Sequence, residues 1–247
     1  MPDPVFDDPR LAAVYDPLDP DRSDLDAYLA VVREFDARTV VDVGCGTGTL
    51  AVLLAARGVE VVAIDPAAAS LAVARGKPGA VAVRWLPGVA ADLPGDVRAD
   101  LVLMTANVAQ AIVADADWTA TLAAAHRVLH PGGRLVFETH DPAARGWREW
   151  VPERSHAVAD VEGVGRVERV HALTAVDLPL VSFRTTVTFA AAGEVLTSDS
   201  TLRFRDRAEV EADLHRHGFV VDDVRDAPDR PGREFVFVAR KPRPDRG

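Results

Sequence analysis

Thr39-Val40-Val41-Asp42-Val43-Gly44-Cys45-Gly46-Thr47-Gly48 begins as a β-branched run and ends in three glycines spaced one residue apart. Leu50 to Arg57 then carries a helical pattern closed near Gly58, so the stretch reads as strand, glycine turn and helix. Glycines in such a turn allow positive φ and let a ligand approach the backbone with no β-carbon in the way. The dinucleotide fingerprint needs G-x-G-x-x-G and holds pyrophosphate on a helix N-terminus. Here the glycines alternate as G-x-G-x-G, and an acid, Asp42, stands two residues before the first. That acid disfavours a pyrophosphate and favours a cationic amino group.

Asp65 ends the next apolar run, Val59 to Ile64, nineteen residues after Gly46. A carboxylate at a strand end can accept two hydrogen bonds from a ribose 2′,3′-diol. Singly, each feature has an ordinary structural explanation, a tight turn and a turn-forming Asp. Together, in this order and spacing, they point to a ribose-containing ligand.

Outward from this stretch the pattern continues. Leu25, Tyr28, Leu29 and Val32 recur at helical spacing from Ser23 to Phe35, with Ser23 as the expected N-cap and Asp26 three residues on. Downstream come helix Ala67 to Arg75, strand Ala80 to Leu86, strand Leu101 to Thr105 and helix Trp118 to Leu129. The turn His130-Pro-Gly-Gly133 leads into strand Arg134 to Thr139. Apolar strands between helical patterns predict an α/β fold with a doubly wound parallel sheet whose ligands sit at the strands' carboxyl ends. Past about residue 150 the texture alternates, over Gly165 to Leu173, Leu180 to Ala190 and Glu194 to Arg205, which predicts an antiparallel insert. A helix, Arg207 to His217, and two strands, Val220 to Arg225 and Glu234 to Ala239, close the chain, the strands pairing as a hairpin. The expected organisation is one domain over 1–247: an N-terminal lid and helix (1–38), a cofactor-binding core (39–150), the insert (151–205) and the closing helix and strand pair (206–247).

A chain of 247 residues with 48% apolar residues can bury one large core. Its 28 basic and 38 acidic residues give a net charge of −10, which repels a phosphate backbone and argues against nucleic acid as a partner. The single cysteine, Cys45, cannot form an internal disulfide, and Asp3, Asp7 and Asp8 stand where a leader would be basic. The most apolar stretch, Leu50 to Ile64, is broken by Arg57 and Glu60, short of the roughly 18 residues a span needs. A cytoplasmic location with no membrane partner is the expectation.

At this point the residues carry a resemblance. Val40-Val-Asp-Val-Gly-Cys-Gly-Thr-Gly48 resembles the first motif of class I S-adenosylmethionine-dependent methyltransferases, and Ala63-Ile-Asp65-Pro66 resembles the second. His126-Arg-Val-Leu-His-Pro-Gly-Gly-Arg-Leu135 is similar to the family's turn into its fifth strand. The resemblance implies a Rossmann-like, mostly parallel seven-stranded sheet into which the last strand inserts antiparallel. It implies S-adenosyl-L-methionine as cofactor, lying against the backbone at Gly44, Cys45 and Gly46, with Asp65 on the ribose, Pro66 beside it, and Asp42 facing the methionyl ammonium. Cys45 is then a small packing residue and no nucleophile. The third motif usually presents Gly-Asp and a small residue; here it is Gly88-Val89-Ala90-Ala91-Asp92. Val89 replaces the acid, which leaves adenine to apolar packing and the Ala90 amide, or to Asp92. Tyr15 resembles an aromatic residue that closes over the cofactor, the alternative being a packing role.

Thr105, after the fourth strand, falls where relatives place the methionine tail and the acceptor, and Met104-Thr-Ala-Asn107 is neither the Asn-Pro-Pro-aromatic signature of nucleic-acid amino methyltransferases nor a metal site. Methyl transfer is an in-line displacement, so alignment and exclusion of water dominate, and a base is needed only for a protonated acceptor. The catalytic candidate is His140, just past the fifth strand. Asn107 and Gln110 are candidates for orienting the acceptor, and His171 for reaching it from the insert. Trp147 and Trp150, three residues apart, share a face and either wall a substrate pocket or pack the insert onto the sheet. The insert is similar to that of small-molecule N-methyltransferases acting on amino sugars or glycine, where it shapes a lid or a homodimer contact. The resulting expectation is methyl transfer to N or O of a small molecule. The competing readings are a non-methylating use of the same cofactor, a non-catalytic binding subunit, and a nicotinamide dehydrogenase.

Overall fold

The computed structural model describes residues 2–244, so the expected domain limits at 1 and 247 lie outside the described residues. The apolar runs become β1 (Thr39–Val43), β2 (Glu60–Asp65), β3 (Val83–Pro87), β4 (Ala99–Met104) and β5 (Leu129–His140), paired in parallel. With β10 (Val220–Asp226) and β11 (Glu234–Arg240) they form one seven-stranded sheet in the order β10-β11-β5-β4-β1-β2-β3. β11 runs antiparallel to both β5 and β10, so the two closing strands are a hairpin and the last strand inserts next to β5. The order reverses between β1 and β4, which opens a crevice at their carboxyl ends, beside Asp42 and Thr105.

Helices cover both faces, which is why the strands are apolar on both sides. On one face α3 (Leu25–Glu34) and α4 (Thr49–Ala55) bring Leu25, Leu29, Leu50 and Leu54 onto Val40 and Leu101. On the other, α7 (Asp115–Val128) and α9 (Arg207–Arg216) bring Trp118, Leu122, Val210 and Leu214 onto Val102 and Phe137. α5 (Ala68–Gly76) and the short α6 (Val108–Ala111) follow β2 and β4. No helix among the described residues is long and apolar enough to cross a membrane.

The insert is a separate antiparallel sheet of four strands, β6 (Ala157–Val161), β7 (Gly165–Asp177), β8 (Leu180–Phe189) and β9 (Glu194–Arg203), entered through α8 (Pro152–Ser155). β6 was not foreseen, because its inward residues, Ala157, Ala159 and Val161, are too small to mark a strand in sequence. Two other expectations need correction. Ser23 is not a cap: α3 starts at Leu25, and the Ser23 N–H donates to Asp21. The third strand starts at Val83, since Ala80–Ala82 form a 3-10 turn after Gly79.

The N-terminal segment holds two helices the periodicity did not show, α1 (Pro4–Asp7) and α2 (Pro9–Tyr15), each opened by a proline in the first turn. They bridge core and insert. The Val5 N–H donates to Ser198 Oγ on β9 (3.0 Å), and Ser70 Oγ on α5 donates to the Phe6 carbonyl (2.7 Å). Asp16 accepts from Thr47 Oγ1 (2.6 Å) and pairs with Lys77 Nζ (2.6 Å), which ties this roof to the glycine turn below it.

Candidate active site

The crevice, the insert and the N-terminal roof enclose a cavity of about 1020 Å³. Its floor is the glycine turn. Gly44 (φ +72°), Gly46 (+53°) and Gly48 (+76°) are all left-handed, so the glycines are required by backbone conformation. Their missing β-carbons serve different purposes. At Gly44 a β-carbon would lie 2.5 Å from the Val108 side chain, whereas at Gly46 it would meet nothing within 4 Å. Only Gly46 is therefore open toward the cavity. The turn's amides are committed internally: Gly44 and Cys45 donate to the Ile64 carbonyl, Gly46 to Asp65 Oδ2, and Gly48 to the Cys45 carbonyl. A turn with those amides already bonded offers no nest for pyrophosphate, which counts against the dinucleotide reading.

Asp42, next to last in β1, and Asp65, last in the neighbouring β2, both border the cavity. Asp42 is buried, its Oδ1 has no hydrogen-bond partner, and burial together with the Asp65 carboxylate pushes its carboxyl up to about 7. Asp65 Oδ2 accepts from Gly46 N–H (2.7 Å) and Oδ1 from Ala67 N–H (2.8 Å); each oxygen keeps a second acceptor site. Burial raises its carboxyl as well. Cys45 lies beside both acids, and burial pushes its thiol well above the usual range, the opposite of an activated nucleophile.

The rim is apolar. Val89 is 49% exposed and Ala90 is buried; both line the cavity, as does Pro66. Asp92 is no substitute for the missing third-motif acid, because its carboxylate turns back to accept the Val89 N–H (2.9 Å). Tyr15 lines the roof, its ring 5.7 Å from that of Phe6.

The far side is built around the ends of β4, β5 and β11. Thr105 and Asn107 line it, and Ala106 (φ +54°) and Asn107 (+60°) are successive left-handed residues, costing about 1–2 kcal/mol each. Glu138 holds them: its Oε1 accepts the Asn107 N–H (3.1 Å), and its Oε2 accepts the Tyr28 hydroxyl. Burial pushes Glu138 up to about 7. His140 lines the cavity and is clamped from behind. Gln110 Oε1 faces its backbone N–H (2.9 Å) and its Nδ1 (2.7 Å), and Glu234 Oε1 lies 3.2 Å from Nε2. Glu234 also receives Arg230 (2.6 Å) and Asn107 Nδ2 (3.3 Å). Burial pushes the imidazole down to about 4, so it is neutral near pH 7 with Nδ1–H donating to Gln110. Nε2 is then the ring's acceptor nitrogen, 3.2 Å from Glu234 Oε1. In a titration followed by NMR, the His140 Cε1–H resonance is expected to stay still from pH 8 to about 5.5. A midpoint above about 6 would show instead a charged ring paired to Glu234.

Two expected substrate contacts do not line the cavity. Gln110 is buried behind His140 and bonds it, with Nε2 donating to the Arg203 carbonyl (3.3 Å). Trp147 is buried against Phe204 (ring centroids 4.9 Å) in a cluster with Val181 of the insert. Trp150 takes the other role, walling the cavity between Phe183 (4.8 Å) and His140 (5.8 Å). The pair divides because Trp150 lies past the end of the 3-10 turn Gly146–Glu149 and leaves its axis.

Residues 40–133, the stretch holding the glycine turn and Asp65, match a family model described as a methyltransferase domain. The cypemycin N-terminal methyltransferase of a Streptomyces species is 35% identical over 117 residues, 47% of this chain and 48% of that protein, so the chain spans about half the length of this curated relative. An S-adenosylmethionine-bound amino pentose methyltransferase from Micromonospora echinaspora, involved in calicheamicin biosynthesis, superposes with a TM-score of 0.67 at 26% identity, covering 90% of this chain and 93% of that one. An S-adenosylmethionine-dependent methyltransferase from Clostridium acetobutylicum superposes with a TM-score of 0.75 over 94% and 98% at 16% identity, a likeness of fold alone.

The methyltransferase domain match ends before Glu138, His140, Arg230 and Glu234, and of these the sequence singles out His140 alone as a site residue. Glu138 had one visible signal, a lone acid in the apolar run Leu135-Val-Phe-Glu-Thr139. Glu234 had none, since its pairing with His140 is a matter of antiparallel register between strands nearly a hundred residues apart.

Proposed function

We propose that the chain is an S-adenosylmethionine-dependent methyltransferase that acts on N or O of a small molecule. The observation that carries this is Asp42 Oδ1, a buried carboxylate oxygen with no partner at the cavity floor, one strand from Asp65. A buried acceptor left unpaired costs about 1–3 kcal/mol, and an ammonium donor would relieve it. In this reading Asp42 takes the methionyl ammonium and Asp65 the ribose diol, through the acceptor sites its two amide bonds leave open. Gly44, Cys45 and Gly46 supply backbone, Val89, Ala90 and Pro66 an apolar slot for adenine, and Tyr15 the cover. The bound sulfonium supplies the electrophilic methyl carbon. Alignment and exclusion of water fall to the chain: Thr105 and Asn107 border the transfer point, Trp150 walls it, and His140 Nε2 takes the acceptor's proton when there is one. Gln110 and Glu234 act through His140 as positioning residues. An N acceptor is favoured by the two relatives whose names specify an N terminus and an amino pentose.

Calorimetry with S-adenosylhomocysteine and, separately, NAD tests this reading. Binding of the first and not the second is expected; the reverse outcome would revive the dehydrogenase. Asp42 adds a pH signature. Its carboxyl, near 7 without ligand, must ionise to pair with an ammonium, so ligand binding expels a proton below that pH. Affinity is expected to rise from pH 6 to 8, with a slope below pH 7 approaching about tenfold per unit. Equal affinities at pH 6 and 8 would remove Asp42 from the contact.

A further inference from the structure

The inner face of the insert is patterned in a way that methyl transfer alone does not require. Along β7, Val167, Arg169, His171 and Leu173 alternate onto one face. Register carries that face across the sheet: Arg169 lies opposite Val187, His171 opposite Thr185, and Leu173 opposite Phe183, while Thr185 and Phe183 lie opposite Ser198 and Ser200 of β9. Both ends are apolar. Val167, Val187 and Phe189 pack on Leu11 and Val14 of the roof, and Val181 packs with Trp147 and Phe204. Between them runs a polar belt of Arg169, His171, Thr185, Ser198 and Ser200, and all but Ser198 line the cavity. Ser198 is used by the Val5 amide, and Thr185 Oγ1 lies 3.0 Å from His171 Nδ1.

Arg169 is different. Among the described residues it makes no ion pair, and its Nε is buried with no hydrogen-bond partner. The other arginines of the cavity wall are each paired: Arg22 with Asp24, Arg230 with Glu234, and Arg154 and Arg233 with Glu149. An unneutralised guanidinium inside a chain of net charge −10 has the donor fork that a carboxylate or phosphate matches with two oxygens. From Arg169 the wall continues through His171, whose ring is 5.6 Å from Phe183, then Phe183 and Trp150 to His140. A molecule anchored at Arg169 would present its far end to His140.

We propose that Arg169 is the anion subsite of the acceptor, so that the substrate carries a carboxylate or phosphate ester at the end opposite its methylated N or O. The proposal rests on the methyltransferase reading of the cavity. Its rival is that Arg169 takes the carboxylate of the cofactor, since Arg169 and Arg22 both lie near Tyr15.

The test uses the whole chain saturated with S-adenosylhomocysteine and four probes, benzoate against benzamide and phenyl phosphate against phenol, titrated by calorimetry. At least one anion is expected to bind about ten- to a hundredfold tighter than its neutral counterpart. Arg169→Gln is expected to abolish that preference while leaving affinity for S-adenosylhomocysteine within about twofold and the melting temperature close to the parent's. Benzoate as the tighter anion identifies a carboxylate and phenyl phosphate a phosphate ester; either supports the proposal. No preference for anions in the parent, or a preference that survives in Arg169→Gln and in Arg169→Ala, overturns it. So does a drop of about tenfold or more in S-adenosylhomocysteine affinity in the variants, which assigns Arg169 to the cofactor. A parent protein that takes benzoate but not S-adenosylhomocysteine keeps the anion subsite and sinks the methyl-transfer reading instead.

Discussion

Gly48→Ala should lower the melting temperature by roughly 4–16 °C, the equivalent of about 2–4 kcal/mol for a chain of this size. The added β-carbon would lie 2.4 Å from the Trp85 ring and 2.8 Å from the Ala74 β-carbon. Neither can yield easily. The indole is pinned by its Nε1–H to the Ala80 carbonyl (2.9 Å), and Ala74 moves only with the backbone of α5. The left-handed backbone (φ +76°) adds about 1–2 kcal/mol for any residue with a β-carbon. Gly46→Ala is the control, because its β-carbon meets nothing within 4 Å, leaving only the backbone cost. Scanning calorimetry of both variants separates the contributions. A Gly48→Ala protein that melts with the parent would mean that β3 and α5 do not pack on the turn as described.

Asp65→Ala should weaken binding of S-adenosylhomocysteine by about 1.5–3 kcal/mol, roughly ten- to 150-fold, through the loss of charge-assisted bonds to the ribose. The same carboxylate joins the Gly46 and Ala67 amides, so some of the loss would come from a loosened turn. The melting temperature of the ligand-free variant measures that part, and the affinity loss beyond it belongs to the ligand. Unchanged affinity in calorimetry would mean that the sugar lies elsewhere.

The two variants probe the part of the molecule that is legible in the sequence. Strand, glycine turn, helix and terminal acid follow one another within about thirty residues, and each declares itself by a local rule: β-branched apolar residues, forced positive φ, helical spacing. The closing hairpin was legible for the same reason. Short helices were not, because α1 and α2 have too few turns to show a period, and neither was β6, whose inward residues are mostly alanine. Among the site residues, His140 is located by its place at the carboxyl end of β5. Its partners are not, because Gln110 and Glu234 reach it from thirty residues upstream and from a strand of opposite direction. Gln110, expected as a substrate contact, and Trp147, expected either to wall the pocket or to pack the insert, do not line the cavity, since polarity and aromaticity say what a side chain can do and not which side of a wall it occupies. Arg169 was one of many arginines, and only the register of the insert turns it inward.

Local sequence alone therefore determined the sheet's central strands, the glycine turn at residues 44–48 and the acid at 65, since short-range sterics and hydrophobic periodicity decide them. Tertiary structure decided the remainder: the charge state and partners of His140, which depend on burial and on residues distant in the chain, the roof that closes the cavity, and the guanidinium left unpaired within it. Burial and pairing are properties of the assembled fold, and no window of sequence contains them.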